Sequence, residues 1–229
     1  NGQPLLVLPG AGGVSVACEA NTLRLPLAVA SQPAGAASRL VAAGDMLFVV
    51  ADGALYRLPI AAAVQGTADL EPVLGPGERI GGPLVQELVD LVYSPADGLL
   101  FVLDKAGHLY RVDAASAQVA LDYRATDDPD MQLTSQMVGV TVDDRGEPVL
   151  LDAAFGALWT LADLQSLDIV GQSDALDDSV DVAYLDGRFY VLRHDGSLVT
   201  VNQPTGSSER DSAAEPEIAL SLAVSDHLG

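Results

Sequence analysis

The chain has 229 residues, of which 49% are hydrophobic, and its 32 Asp and Glu against 11 Lys and Arg give a net charge of −21. That charge repels nucleic-acid phosphates and anionic membrane surfaces, which argues against both as partners. A single cysteine, Cys18, excludes an intrachain disulfide and a thiolate metal cage.

Short apolar segments bounded by Gly, Asp and Pro follow one another along the chain. Their Val, Leu, Ile, Phe and Tyr content predicts strands rather than helices. In chain order, SRLVAA, LVDLVYS, MVGVTV and SVDVAYL each begin a copy of strand, turn, strand, Gly turn and strand. A weaker fourth strand follows, as in EPVL, VALDY and LDIVG. DG turns at 52–53, 97–98, 186–187 and 195–196 supply the positive φ of tight hairpins.

Four antiparallel strands in a repeat of about 45 residues predict the blades of a β-propeller. The central apolar residues of the first strands are spaced 40 to 51 residues apart: Leu40, Leu91, Val140, Val182 and Leu222. The tail ALSLAVSDHLG matches a first strand, and the head of the chain matches the remaining strands of a blade. We therefore predict an all-β, five-bladed β-propeller with four-stranded antiparallel blades, closed by the C-terminal strand that completes the N-terminal blade. An open stack, part of a larger ring and a β-sandwich are the alternatives.

The domain prediction follows from this repeat. Residues 1–229 are expected to form a single β-propeller domain without a membrane-spanning segment. The predicted blades cover residues 219–229 plus 1–32, 37–80, 87–125, 136–172 and 178–218.

An aromatic or apolar residue follows a Gly turn in GALYRL, HLYRV and GALWTL. In these features the chain resembles bacterial β-propeller repeat proteins with irregular blades, and it lacks the WD dipeptide and the kelch double Gly with paired aromatics. The resemblance covers essentially the whole chain. It implies a ligand or partner surface at one end of a central channel, in the manner of extracytoplasmic sensor and binding propellers, and it implies no particular chemistry.

The position before each central residue of a first strand is expected to line that channel. These positions hold Arg39, Asp90, Gly139, Asp181 and Ser221, and the position after the central residue includes Thr141. Acids and an Arg that converge there predict a polar ligand site formed by Arg39, Asp90, Thr141, Asp181 and Ser221. The alternative is a structural ion pair that only satisfies charges near the axis.

Two channel carboxylates also suggest a glycoside hydrolase or lyase, with Asp90 and Asp181 as the catalytic acids. Few aromatic platforms for sugar rings accompany them, and Trp159 occupies the place of Tyr56 in the repeat. No metal site is expected, because the acidic loops lack the spacing of a calcium loop. If one loop does bind a metal, the ligands would be Asp127, Asp128 and Asp130.

From these patterns we expect a non-catalytic, sensor-type domain that binds a small molecule or a protein and belongs to a larger bacterial protein. Catalysis by the channel carboxylates and a purely structural scaffold are the alternatives. We expect no cofactor, a monomeric domain and an extracytoplasmic or secreted location.

Overall fold

Apolar segments separated by Gly-containing turns form antiparallel hairpins along the described chain. The computed structural model describes residues 6–10, 13–18, 21–25, 28–29, 32–33, 37–65, 69–123, 136–163, 166–203 and 219–221. Side chains are described within 38–62, 69–123, 136–161 and 167–203. The chain divides into two units, residues 1–122 and 123–229.

The first unit begins with a three-stranded sheet of β1 (Leu6–Gly10), β2 (Gly13–Cys18) and β3 (Asn21–Leu25). A two-stranded sheet of β4 (Ala28–Val29) and β5 (Gln32–Pro33) follows. Sheet A consists of β6 (Ala37–Ala43), β7 (Met46–Ala51), β8 (Ala54–Pro59) and β9 (Glu71–Leu74), with helix α1 (Ile60–Gln65) before the last strand. Sheet B consists of β10 (Leu88–Ser94), β11 (Leu99–Asp104), β12 (Leu109–Asp113) and β13 (Val119–Tyr123).

The second unit contains two more four-stranded sheets. Sheet C consists of β14 (Met137–Val142), β15 (Pro148–Asp152), β16 (Ala157–Asp163) and β17 (Ser166–Gln172). A 3-10 turn, Asp174–Leu176, leads to sheet D, which consists of β18 (Ser179–Leu185), β19 (Arg188–Arg193), β20 (Leu198–Asn202) and β21 (Ala219–Ser221). Among the described residues, no helix has the length and apolar character of a membrane-spanning segment.

All four sheets share one register between their first two strands. The central residues pair as Leu40↔Val49, Leu91↔Val102, Val140↔Leu150 and Val182↔Val191. In each sheet the register shifts just before this pair, as in a β-bulge, at Ala37/Arg39, Leu88/Asp90, Met137/Gly139 and Ser179/Asp181. The alignment of the repeats from sequence is therefore confirmed for these four copies, and the bulge sets the direction of the side chain that follows it.

Two of the predicted DG turns have positive φ at both residues. Asp52 and Gly53 have φ of 51° and 72°, and Asp186 and Gly187 have φ of 51° and 80°. This is the geometry of a two-residue hairpin whose twist matches that of the strands, and Gly or Asp adopts it at low cost.

The number of blades and the closure of the N-terminal blade were predicted wrongly. The described residues form four four-stranded sheets, whereas the N-terminal strands β1 to β3 form a three-stranded sheet. The C-terminal strand β21 pairs with β20 through Thr200↔Ala219, Val199↔Leu220 and Leu198↔Ser221. The physical reason is the free edge of β20, whose backbone N–H and C=O groups need partners, and the C-terminal segment satisfies them as the outer strand of sheet D. The single domain and its boundaries stay a prediction.

Each unit has its own apolar core between two sheets. Sheets A and B share a cluster whose members include Phe48, Leu55, Leu91, Leu100 and Tyr110. Sheets C and D share a cluster whose members include Val149, Leu158, Val182, Phe189 and Val199. Full burial of such side chains contributes about 2 kcal/mol each, so these cores hold the sheet pairs together.

Candidate functional site

The predicted first-strand residues of the first unit, Arg39 and Asp90, are in direct contact. Arg39 Nε donates to Asp90 Oδ1 at 2.7 Å, and Asp90 is 3% exposed. The same oxygen accepts the backbone N–H of Leu91 at 2.9 Å. The pair therefore links the first strands of sheets A and B and stabilises the backbone after the bulge.

In the second unit Asp181 occupies the corresponding position after a bulge. Its Oδ1 accepts the backbone N–H of Val182 at 2.8 Å, as Asp90 does for Leu91. Thr141 is buried in sheet C, and Ser221 ends the described part of β21. Asp90 belongs to the first unit and Asp181 to the second, so the predicted convergence of these side chains stays a prediction.

The candidate metal ligands Asp127, Asp128 and Asp130 lie outside the described residues. Within the described part of the chain, no three His, Cys, Asp or Glu side chains converge in a way that could hold a metal ion. Trp159 pairs with Leu150 in the register that Tyr56 shares with Val49, which matches its predicted place in the repeat.

A buried carboxylate, Asp104, organises the hairpin between β11 and β12. Its Oδ1 accepts the N–H groups of Ala106 and His108, both at 2.9 Å. Its Oδ2 accepts from the N–H of Gln86 at 3.0 Å and from the Tyr110 hydroxyl at 3.1 Å, and it lies 3.1 Å from His108 Nδ1. Burial alone would raise the pKa of Asp104, but the hydrogen bonds from His108 and Gln86 together lower it.

The corresponding carboxylate of sheet C is Asp152, also buried at the end of a second strand. Its Oδ1 accepts the N–H groups of Gln136 and Ala154 at 2.9 Å and that of Phe155 at 3.3 Å. Its Oδ2 is buried and has no hydrogen-bond partner among the described residues. Burial therefore raises the pKa of Asp152 despite the backbone hydrogen bonds to it.

A cavity of about 470 Å³, here named the open groove, lies between sheets A and B in the first unit. Its walls combine small and apolar residues with a charged pair and a tyrosine, and they include Ala43, Met46, Arg57, Glu71, Tyr93 and Ala114. Arg57 Nε and Nη2 donate to the two oxygens of Glu71 at 2.8 and 3.0 Å. This bidentate contact raises the pKa of Arg57 and lowers that of Glu71.

A smaller cavity of about 150 Å³, the filled groove, lies between sheets C and D in the second unit. Gln203 lines it and connects the two sheets, because its Nε2 donates to Asp143 Oδ2 at 2.9 Å and its Oε1 accepts from the Tyr184 hydroxyl. Arg145 Nη2 also donates to Asp143 Oδ2 at 2.8 Å. The protein's own side chains therefore occupy part of this groove.

The two grooves occupy corresponding positions in the repeat. Ala43 and Asp143 lie three residues after the central residue of their first strands, and Tyr93 and Tyr184 lie two residues after theirs. Ala114 and Gln203 donate their backbone N–H groups to Gly98 and Gly187, both at 3.0 Å. In the filled groove the side chains of Asp143 and Gln203 form a bridge. The open groove has alanines, Ala43 and Ala114, at these two positions.

The open groove was not predicted from the sequence, because its residues lie beyond the first-strand positions nearest the predicted channel. An alignment of the repeats that continues into the turns could have indicated the groove. In that alignment YSPADG of sheet B corresponds to YLDG of sheet D. The same alignment sets Ala114 against Gln203 after the third strands.

No family model matches the chain, and no curated protein matches its sequence. Solved structures share its fold. The structure of a nidogen–laminin complex aligns with a TM-score of 0.63 at 11% identity, over 83% of this chain and 68% of that one. YCF48 from Cyanidioschyzon merolae aligns with a TM-score of 0.60 at 14% identity, over 94% of this chain and 67% of that one.

The extracellular domain of a one-component system from B. thetaiotaomicron aligns with a TM-score of 0.56 at 9% identity. The alignment covers 94% of this chain and 33% of that domain, so the chain spans about a third of its length. At these identities the likeness shows the fold alone. The chain has a β-propeller fold with four-stranded antiparallel blades, and sheets A to D are such blades.

Proposed function

We propose that the chain is a non-catalytic, sensor-type binding domain of a larger bacterial protein and that its ligand occupies the open groove. The observation that carries this proposal is the cavity of about 470 Å³, a volume typical of sites for small molecules.

A location outside the cytoplasm belongs to the same proposal. It is supported by the bacterial neighbour that is an extracellular domain, although only the fold is shared with that protein. The predicted ligand-binding residues stay a prediction: Arg39, Asp90, Thr141 and Asp181 lie on first strands, whereas Ser221 lies on β21, the outer strand of sheet D.

The competing prediction of a glycoside hydrolase or lyase depends on Asp90 and Asp181. Both carboxylates accept the backbone N–H of the next residue, and Asp90 is also paired with Arg39. These contacts favour a structural role for both residues, because a carboxylate that holds a bulge in place is constrained by the backbone.

The test is a ligand-observed NMR screen of the full 229-residue chain against a library of small soluble compounds. We expect compounds that bind the wild type and lose binding in Ala114→Gln, which introduces the side chain found at the corresponding position of the filled groove. Ala106→Gln makes the same change at an exposed turn outside the groove and should bind as the wild type does.

Hits that bind Ala114→Gln and the wild type equally would place binding elsewhere and overturn the proposal for this groove. The enzymatic alternative is tested by incubating the chain with chromogenic glycosides. Turnover that disappears in both Asp90→Asn and Asp181→Asn, with unchanged thermal unfolding, would replace the binding function by catalysis.

A further inference from the structure

The charges around the open groove are unbalanced. The carboxylates of Glu71 and Asp45 line it together with one guanidinium, that of Arg57, which is held by both oxygens of Glu71. Asp45 lies exposed in the turn between β6 and β7. Because Arg57 and Glu71 neutralise each other, Asp45 gives the groove a net negative charge, and the whole chain carries a net charge of −21.

The remaining wall suits an apolar body with a cationic end. Tyr93 contributes an aromatic ring, and Met46 and Pro59 contribute apolar surface. An aromatic ring attracts a cation to its face, and the attraction increases when the cation is removed from water. The thioether of methionine adapts to the shape of its neighbour, so Met46 can pack against the apolar body of a ligand.

The filled groove shows what kind of group the corresponding space accepts. There the Gln203 amide directs its N–H donor towards the carboxylate of Asp143 and accepts a hydrogen bond from Tyr184. The turn between the first two strands carries the cation Arg145 in sheet C, whereas it carries the anion Asp45 in sheet A. In the open groove Ala43 and Ala114 stand in the places of Asp143 and Gln203, so the corresponding space beside Tyr93 and Asp45 is free for a nitrogen donor of a ligand.

We infer that the open groove binds a small organic ammonium ion with an apolar body. The ammonium group lies against the carboxylate of Asp45, beside the Arg57–Glu71 pair, and the apolar body lies against Tyr93, Met46 and Pro59. This inference rests on the proposed function, since it names the class of ligand for the same groove.

The experiment is an NMR titration of the full chain with three probes of one shape and different charge: benzylamine, benzyl alcohol and benzoate. We expect benzylamine to bind at least tenfold more tightly than benzyl alcohol and benzoate to bind least. Benzylamine affinity should fall as salt is raised, because the contact with Asp45 is exposed to solvent. Ala114→Gln should reduce benzylamine affinity more than tenfold, and Ala106→Gln should leave it unchanged.

Glu71→Gln provides a second variant that does not depend on filling the cavity. It removes a carboxylate and releases the charge of Arg57, so benzylamine affinity should fall and benzoate affinity should rise. Glu87→Gln is the matched control, since Glu87 pairs with Lys105 at 3.4 Å outside the groove. That control should change neither affinity by more than about twofold.

The outcomes separate this inference from the function on which it rests. If benzyl alcohol or benzoate binds as tightly as benzylamine and Ala114→Gln abolishes that binding, the groove binds ligands but the ammonium inference is wrong. If benzylamine binds Ala114→Gln and the wild type equally, its attraction is to the acidic chain in general and the inference is overturned. If no probe binds while the library screen yields groove ligands, the inference fails and the proposed function stands.

Discussion

In the first unit, the carboxylate at the end of the second strand of sheet B, Asp104, accepts hydrogen bonds on both oxygens. In the second unit its counterpart Asp152 uses one oxygen and leaves the other buried without a described partner. The grooves show the opposite order, because the first unit leaves its groove open and the second closes it with Gln203. One repeated frame of strands therefore supports different polar side chains at corresponding positions, and these side chains set the local pKa and the free volume.

The largest expected effect comes from Asp104→Asn. An amide nitrogen in place of either carboxylate oxygen would face N–H or O–H donors that need an acceptor. We expect a loss of about 3 kcal/mol in the free energy of unfolding, measured by urea titration. Asp152→Asn should cost less than about 1 kcal/mol, since its amide nitrogen can replace the oxygen that has no partner. Equal losses in the two variants would contradict the difference between the two hairpins.

Gln203→Ala should have the next largest effect. It removes the bridge between Tyr184 and Asp143, and we expect a loss of about 1 to 2 kcal/mol in urea unfolding. Gln172→Ala is the control, because the Gln172 amide makes an exposed hydrogen bond of 3.3 Å to Phe155 O. A variant as stable as the wild type would mean that the filled groove is held together without its glutamine.

The pH dependence of stability should have opposite signs for the two carboxylates. A raised pKa in the folded state means that the stability from protonated Asp152 is present below the ordinary pKa of 3.8 and is lost as pH rises through the raised pKa. The wild type should therefore lose stability as pH rises from about 4 to 7, whereas Asp152→Asn has no carboxyl group at this position to titrate. The free energy of unfolding of Asp152→Asn minus that of the wild type should increase over this range.

For Asp104, whose pKa is lowered, the stabilisation is present above 3.8 and is lost as pH falls through the lowered pKa. The stability deficit of Asp104→Asn should therefore shrink as pH falls below 3.8. Urea titrations measure the two trends, below about pH 4 for Asp104→Asn and from about pH 4 to 7 for Asp152→Asn. The same sign for both variants would contradict the assignment of their pKa shifts.

The smallest stability effect is expected for Ala114→Gln. Its side chain enters space that is already open, so the free energy of unfolding should change by less than about 0.5 kcal/mol. Thermal unfolding beside the binding titrations measures this. A large loss of stability would show that the open groove cannot accept the side chain of the filled one.

Strand positions, hairpin turns and register could be predicted from the sequence for sheets A to D. Apolar segments rich in β-branched and aromatic residues predict strands because these residues have high β-propensity. DG pairs such as Asp52–Gly53 predict hairpins because both residues readily adopt the positive φ that a tight turn requires. The contact of Arg39 with Asp90 also followed the alignment of first strands, although the ligand role proposed for these residues is untested.

The pairing of β21 with β20 and the volume of the open groove could not be predicted in this way. ALS of the C-terminal segment has the composition of a strand, but its partner depends on which sheet edge lies free nearby. The open groove depends on Ala43, Tyr93 and Ala114, which are distant in sequence and meet only when sheets A and B pack together.

By itself the sequence determined the repeated four-stranded sheets and their turns, because strand preference and backbone conformation act between neighbours in the chain. Only the tertiary structure decided which edge the last strand joins and which groove stays open. Edge pairing and free volume arise from backbone groups and side chains that packing brings together from distant positions.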